Sequence, residues 1–398
     1  MQLARRLDRI QPSPTLAMSA RARVLKQQGV DVIDLSVGEP DFDTPEAIKE
    51  AAARALEAGR TKYTASAGIP ELREAIAQKL QRVNGIPYQA ENVVVTVGAK
   101  HAVYLALQAI CNPGDRVLIP APYWVSYADQ ARLLDAEPVI LPTREEQGFK
   151  LDPDTLARAI RGARVLILNS PNNPTGAVYT PEELEALGQV LEEEPGCWLI
   201  SDEIYEPFVY DGARHESLLR LKPALRERAV LINGFSKTYA MTGWRLGYAA
   251  GPKPLVAAMV TLQSHSTSNA TTFAQVAGVQ ALEGSQEPVD EMVRVYQERR
   301  DLLLAGLRKL PGLTCVEPAG AFYLFPNVSG LFGRSWRGQV IESSQQLAEL
   351  LLEGAATATV PGTAFGTEGY LRLSYATSTE RLAEALDRWN AFWEEIQP

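Results

Sequence analysis

A chain of 398 residues is longer than one hydrophobic core usually supports, so two domains are expected. A formal net charge of −9 argues against a nucleic-acid partner, because affinity for a phosphate backbone needs a basic surface. With 46% hydrophobic and 22% charged residues, and no apolar run of membrane-span length, the composition is that of a soluble globular protein rather than a membrane one.

Residues 1–10 carry charges with no apolar stretch behind them, so no secretory leader is expected and the cytoplasm is the expected compartment. Residues 44–82 read as mostly helical, split by a loop over 61–70. From 91 to 251, short apolar runs alternate with helical patterns: strands are expected at 93–97, 117–120, 138–141, 165–168, 198–201, 230–232 and 246–249, with helices over 102–110, 124–134 and 181–191. This alternation predicts an α/β domain whose mostly parallel sheet lies between helices. Between 232 and 246 there is no crossover helix, and parallel neighbours need one. The last strand is therefore expected to run antiparallel, giving a mixed seven-stranded sheet. Beyond 283, an amphipathic helix over 289–310, short strands near 321–325 and 371–375, and helices over 347–354 and 380–393 form a smaller α+β unit. The expected division is an N-terminal segment, 1–44, packing with the small domain, a large domain, 45–285, and the small domain, 286–398. The three glycines of 329–339 suggest a flexible surface insertion.

Cys111, Cys197 and Cys315 are scattered and odd in number, which points to buried free thiols. His101, His215 and His265 are equally dispersed, so no metal site is expected.

Ligands of open α/β sheets bind outside the carboxyl ends of the strands, and four chemically loaded segments fall at such ends. In V-T-V-G-A-K-H, a helix starting just after Gly98 offers unpaired amides to a phosphate; an ordinary strand-to-helix turn is the bland alternative. In N-S-P-N-N-P-T-G, the stiff turn presents the Asn173 amide to a phenolate oxygen. In C-W-L-I-S-D-E-I-Y, an apolar strand delivers Asp202, with Tyr205 beyond it. A carboxylate under a pyridine nitrogen keeps that nitrogen protonated, and at ~4 Å and an effective dielectric of ~20 the pair is worth about 4 kcal/mol. Glu203 reads instead as the cap of the next helix. In S-K-T-Y-A-M-T-G-W-R, Lys237 can form an imine with an aldehyde, and Arg245, eight residues on, can grip a phosphate with a forked pair of hydrogen bonds. An amine, a phosphate seat, a phenolate donor and a pyridinium partner on one sheet edge together point to pyridoxal 5'-phosphate (PLP), with Lys237 as the expected point of covalent attachment.

These segments, together with V-G-E-P-D-F-D-T-P at 37–45, K-Y-T-A-S-A-G-I-P-E-L-R at 62–73, P-G-T-A-F-G at 361–366 and L-R-L-S-Y-A at 371–376, resemble the class I aminotransferases, PLP-dependent enzymes of fold type I, most closely the bacterial aspartate (or aspartate/prephenate) subgroup. The resemblance implies that Lys237 also moves the substrate proton, that Asp202 pairs with the ring nitrogen, and that Asn173 and Tyr205 bond the ring oxygen. It places Gly98, Ala99, Lys100, Ser236 and Arg245 at the phosphate end and stacks Trp124 on the ring. Arg372 takes the substrate α-carboxylate, with Gly38, Trp124 and Asn173 contributing, and Tyr63 reaches the phosphate of a second copy in a homodimer with shared sites. The animal-type arginine for a distal carboxylate has no counterpart in 264–275; Lys100 is the implied substitute, with His265 a further candidate. The implied reaction is ping-pong amino transfer from an L-amino acid, aspartate first, to 2-oxoglutarate. Prephenate, aromatic amino acids, alanine and kynurenine stay open as substrates, as does a PLP-dependent β-lyase. A PLP-sensing regulator lacks both room for a DNA-binding module ahead of Val37 and a basic patch to serve it.

Overall fold

Pairing between distant parts of the chain begins with its first strand. In the computed structural model, which describes residues 3–10, 12 and 14–398, β1 (Ile33–Asp34) runs parallel to Thr357–Ala358, tying the N-terminal segment to the far end of the chain. Residues 1 and 2 of the segment read as lacking a leader lie outside the described residues.

The central sheet comprises β2 (Val93–Thr96), β3 (Arg116–Ala121), β4 (Glu137–Pro142), β5 (Val165–Asn169), β6 (Trp198–Asp202), β7 (Ala229–Gly234) and β8 (Gly247–Ala250), in the order β2-β8-β7-β6-β5-β3-β4. β8 runs antiparallel to both β2 and β7, and the remaining pairs are parallel, as the short connection into β8 requires. Apolar residues alternate faces along each strand. Val94, Ile119, Ile167, Ile200 and Ile232 meet helices Ala99–Ile110, Ser126–Leu133 and Lys253–Ser264 on one side. Val95, Leu118, Leu166, Leu199 and Leu231 meet Pro70–Arg82, Pro181–Glu193 and Thr272–Glu283 on the other. Burial on both faces explains why the strands read as nearly continuous apolar runs. Helix Pro181–Glu193 is started by a reciprocal cap, Thr180 with Glu183, and by Pro181 in its first turn.

Register sets what reaches the carboxyl edge. Asn169 lies beside Asp202, Asp202 beside Ile232, and Gly234 beside Gly247. The C-terminal part of the chain packs helices Glu287–Leu307, Ser344–Gly354 and Thr379–Glu394 with an antiparallel sheet of Tyr323–Leu324, Leu371–Ser374 and Val360–Pro361. No described helix is long and apolar enough to cross a membrane, and the described residues hold no cluster of metal-ligating side chains. The three cysteines are free; Cys197 is buried, whereas Cys111 and Cys315 are only half-buried.

Two expectations are corrected. The 329–339 segment is not a flexible insertion: Ser335–Trp336 pairs with both Gln339–Val340 and Ile396–Gln397 in a small antiparallel sheet. Trp336 is 1% exposed and stacks on Phe392 at 5.1 Å. Gly333 and Gly338 supply left-handed turns (φ 87° and 79°) rather than looseness, and the apolar partner lies too far along the chain for local composition to reveal it. Glu203 caps no helix. It is buried, accepting from Ser201 Oγ at 2.8 Å and Ser217 Oγ at 2.7 Å, and it pairs with His215 Nε2 at 2.9 Å. Burial pushes the His215 imidazole down, but the Glu203 and Glu206 carboxylates outweigh it and raise its pKa. Lys79, Asn84 and Asn233 complete the network on Glu206.

Trp336→Ala is expected to cost about 3–5 kcal/mol in guanidinium unfolding, whereas Val340→Ala, at the exposed end of the same hairpin, should change stability by less than ~0.5 kcal/mol. Equal unfolding midpoints for Trp336→Ala and wild type would contradict the packing described.

Candidate active site

β7 ends at Gly234 in close backbone contact with Gly247: a Cβ added at Gly234 would lie 3.0 Å from the Gly247 Cα. The chain then turns through Ser236 and Lys237, and Met241 N–H bonds the Ser236 carbonyl at 3.1 Å. Lys237 Nζ donates to the Gly38 carbonyl, from the segment after β1, and lies 5.9 Å from the ring centres of both Tyr205 and Phe322. Loss of water lowers the amine to about 8; Glu39 opposes this, while Arg372, Arg245 and Lys100 add to it.

Asp202, at the end of β6, is 3% exposed. Its Oδ2 accepts from the Tyr127 hydroxyl at 2.6 Å and its Oδ1 from Ile204 N–H at 3.2 Å. Burial pushes the carboxyl up to about 6, against these two hydrogen bonds. Next to it, Asn169 Nδ2 donates to the Asp202 carbonyl at 3.0 Å, and Asn169 Oδ1 accepts from Asn173 N–H at 2.9 Å, so the 170–176 turn is anchored to both strand ends. Asn173 Oδ1 accepts from Arg372 Nη1 at 3.0 Å. A guanidinium has only donors, so the oxygen must face it, and the Asn173 amide nitrogen is turned away, free to donate to a ligand.

Arg372 is 3% exposed on the strand Leu371–Ser374. Its Nη2 donates to the Ser36 carbonyl at 2.6 Å, and its guanidinium lies between the rings of Tyr323 (4.6 Å) and Phe365 (5.0 Å). Its buried Nε has no partner among the described residues. Tyr205 and Tyr323 share a hydroxyl hydrogen bond of 2.7 Å beside it.

At the other end of the site, Gly98 (φ 80°) precedes helix Ala99–Ile110. A Cβ at Gly98 would lie 2.5 Å from Arg245 Nη2, so only glycine leaves the guanidinium beside the first turn of the helix. Arg245 is steadied by its own Nη1, which donates to the Thr242 carbonyl at 2.8 Å. Lys100 Nζ lies 5.0 Å over the half-buried Trp124 ring, and its pKa is lowered by partial desolvation first and then by Arg245. Unpaired helix amides facing a guanidinium form an anion cradle. Cradle, amine, carboxylate and free amide together suit a phosphate-bearing pyridine aldehyde.

Lys237, Asp202, Asn173, Tyr205, Arg372 and Gly38 are therefore brought together, and Gly98, Ala99, Lys100, Trp124, Ser236 and Arg245 lie along the adjoining carboxyl edge. Gly38 is sterically required, because a Cβ there would lie 2.5 Å from the Tyr323 hydroxyl. Tyr63 is 89% exposed and faces away from the chain's own core. His265 is exposed at the end of helix Lys253–Ser264. Sequence reading missed Tyr127, Tyr323, Phe322 and Ser36. Only Tyr127 had a usable signal, its position three residues after Trp124 on a helix.

The profile for aminotransferase class I and II matches residues 30–388. The aspartate aminotransferase of Geobacillus stearothermophilus is 47% identical over 395 residues, covering 99% of both chains. The aspartate/prephenate aminotransferase of Cereibacter sphaeroides is 48% identical over 388 residues, covering 97% of both. The structure of the aspartate aminotransferase from Thermus thermophilus with maleate matches with a TM-score of 0.93 at 46% identity, over 98% of this chain and 100% of that one. Sequence, fold and the convergence of the site residues agree: the chain belongs to the class I and II aminotransferases, PLP-dependent enzymes of fold type I.

Proposed function

We propose that PLP is attached at Lys237, that Arg372 receives the α-carboxylate of the amino acid, and that the preferred pair is aspartate and 2-oxoglutarate. The observation that carries this reading is the convergence of a depressed amine, a buried carboxylate and a buried guanidinium on one sheet edge. When bound, the cofactor supplies an electron sink next to the substrate Cα. Asp202 remains ionised near neutral pH and favours a protonated ring nitrogen. Asn173 offers its amide to the ring oxygen. Lys237, partly neutral near pH 7, serves first as nucleophile and then as the base that takes and returns the Cα proton. Arg372, clamped by Asn173 and Ser36, would hold the substrate carboxylate in one orientation and so limit the directions open to the Cα–H bond.

Lys100 is the proposed contact for a distal carboxylate. Its place between Trp124 and Arg245 supports this, as does the fact that the Thermus relative was solved with maleate. The name of the Cereibacter relative brings prephenate into the same set of substrates. The solvent-facing Tyr63 supports a homodimer in which it reaches the phosphate of a second copy. The division at residues 44 and 285, and a cytoplasmic location suited to three free thiols, belong to the same proposal.

Borohydride reduction of the loaded enzyme should fix the label on Lys237 when peptides are read by mass spectrometry; a label on any other side chain defeats the reading. Only the neutral amine attacks an aldehyde, so the rate of PLP attachment should climb as pH rises through about 8 and level off above it. An attachment rate that falls over this range contradicts the assignment.

In a panel of amino donors against 2-oxoglutarate, Lys100→Ala should raise the KM for aspartate roughly 10- to 100-fold, the worth of a charge-assisted hydrogen bond. Alanine should change less than about threefold. Equal losses for both would remove Lys100 from substrate selection.

A further inference from the structure

Residues 124–130, which lead into and open helix Ser126–Leu133, touch three parts of the site at three-residue intervals. Just before it, Trp124 lies under Lys100. On its first turn, Tyr127 is 2% exposed and donates to Asp202 Oδ2 at 2.6 Å. One turn on, Gln130 is 7% exposed and its Nε2 donates to the Lys100 carbonyl at 3.0 Å, on the helix that begins at the anion cradle. Tyr127 and Gln130, three apart, share a face of the helix, and Trp124 stands just ahead of it, so one short segment lies against Lys100, Asp202 and the helix of the cradle. The Trp124 and Tyr127 rings meet edge to face, with centroids 5.3 Å apart and planes at 83°, which locks the phenol's direction.

We propose that Tyr127 is a positioning residue for the amino-transfer reaction: it holds the Asp202 carboxylate ionised and aimed, and couples its placement to Trp124. This rests on the role proposed above for Asp202. The carboxylate has two donors, the phenol and Ile204 N–H, and the phenol is much the closer. A phenol is a suitable permanent donor here because its burial, together with the adjacent Asp202 charge, keeps it protonated. The other ionisable groups that act on Asp202 are Glu203 next to it, Lys237 from the turn after β7, and Tyr205. Glu203 favours the neutral carboxyl, so the phenol and the lysine are the side chains that oppose protonation.

The test is Tyr127→Phe in the full-length chain, a change that removes one oxygen and keeps the ring packing. The side-chain carboxyl carbons of aspartate are labelled with 13C, and Asp202→Asn identifies the resonance. In the cofactor-free protein, the Asp202 titration should move up by about one to two pK units, the worth of a hydrogen bond to a charged acceptor. In the loaded enzyme, kcat should fall about tenfold or more, with the KM for the amino donor within about twofold. Circular dichroism and the unfolding midpoint establish that the variant is folded; Tyr127→Leu serves as a second variant lacking the donor, and both must move the titration the same way. An Asp202 titration that stays put, or moves down, in folded Tyr127→Phe overturns the proposal. The cofactor-free titration is independent of where the cofactor attaches, so a failure of the Lys237 reading is told apart by the borohydride label.

Discussion

The buried guanidinium of Arg372 joins three parts of the chain that are far apart in sequence. It bonds Asn173 from the loop after β5 and Ser36 from the N-terminal segment, and lies between Tyr323 and Phe365 of the C-terminal part. Taking a cation out of water is costly, and neither bonded oxygen belongs to a carboxylate. Two hydrogen bonds and two aromatic faces offset part of that cost, and burial still lowers the group's pKa. What remains is a donor fork with an unpartnered Nε, fixed in place before any anion arrives. Such preorganisation spares a ligand the cost of assembling its own site. The sheet register, the pairing of β1 with Thr357–Ala358 and the aromatic cluster around Tyr323 all act to hold that one group still.

The sheet keeps its charges apart as well. Asp202 and Glu203 are consecutive and both buried, yet they use separate partners: Tyr127 and Ile204 N–H for the first, and Ser201, Ser217 and His215 for the second. Two adjacent carboxylates in low dielectric would otherwise force one to take a proton. The imidazole at 215 and the ammonium at 79 balance Glu203 and Glu206 behind the sheet, leaving the edge in front to be set by Asp202 and Lys237.

Much of this was legible in the residues. Strands buried on both faces write themselves as short apolar runs, so all seven were readable, and the missing crossover before β8 gave its direction. Motif residues at strand ends, such as Asp202 and Lys237, were readable because the edge they reach follows from topology. What stayed hidden depends on contacts between distant positions. Tyr323 supplies both a hydroxyl to Tyr205 and a ring face to Arg372, yet looks like any core tyrosine. Trp336 is buried by Phe392 and by the strand Ile396–Gln397, none of which its glycine-rich neighbourhood suggests. Glu203 follows Asp202 directly, and only His215 and Ser217, folded back over it, reveal that its task is internal.

The Lys237 amine donates to the Gly38 carbonyl, so the loop that carries Gly38 is part of the amine's immediate surroundings. The 38–44 stretch is held as well by Thr242 on Glu39, by Trp244 and the Ala240 carbonyl on Thr44, and by Arg299 on Asp41. Whatever draws the Lys237 donor away leaves the Gly38 carbonyl to find another partner, while the side-chain anchors at Glu39 and Asp41 still hold the backbone in place.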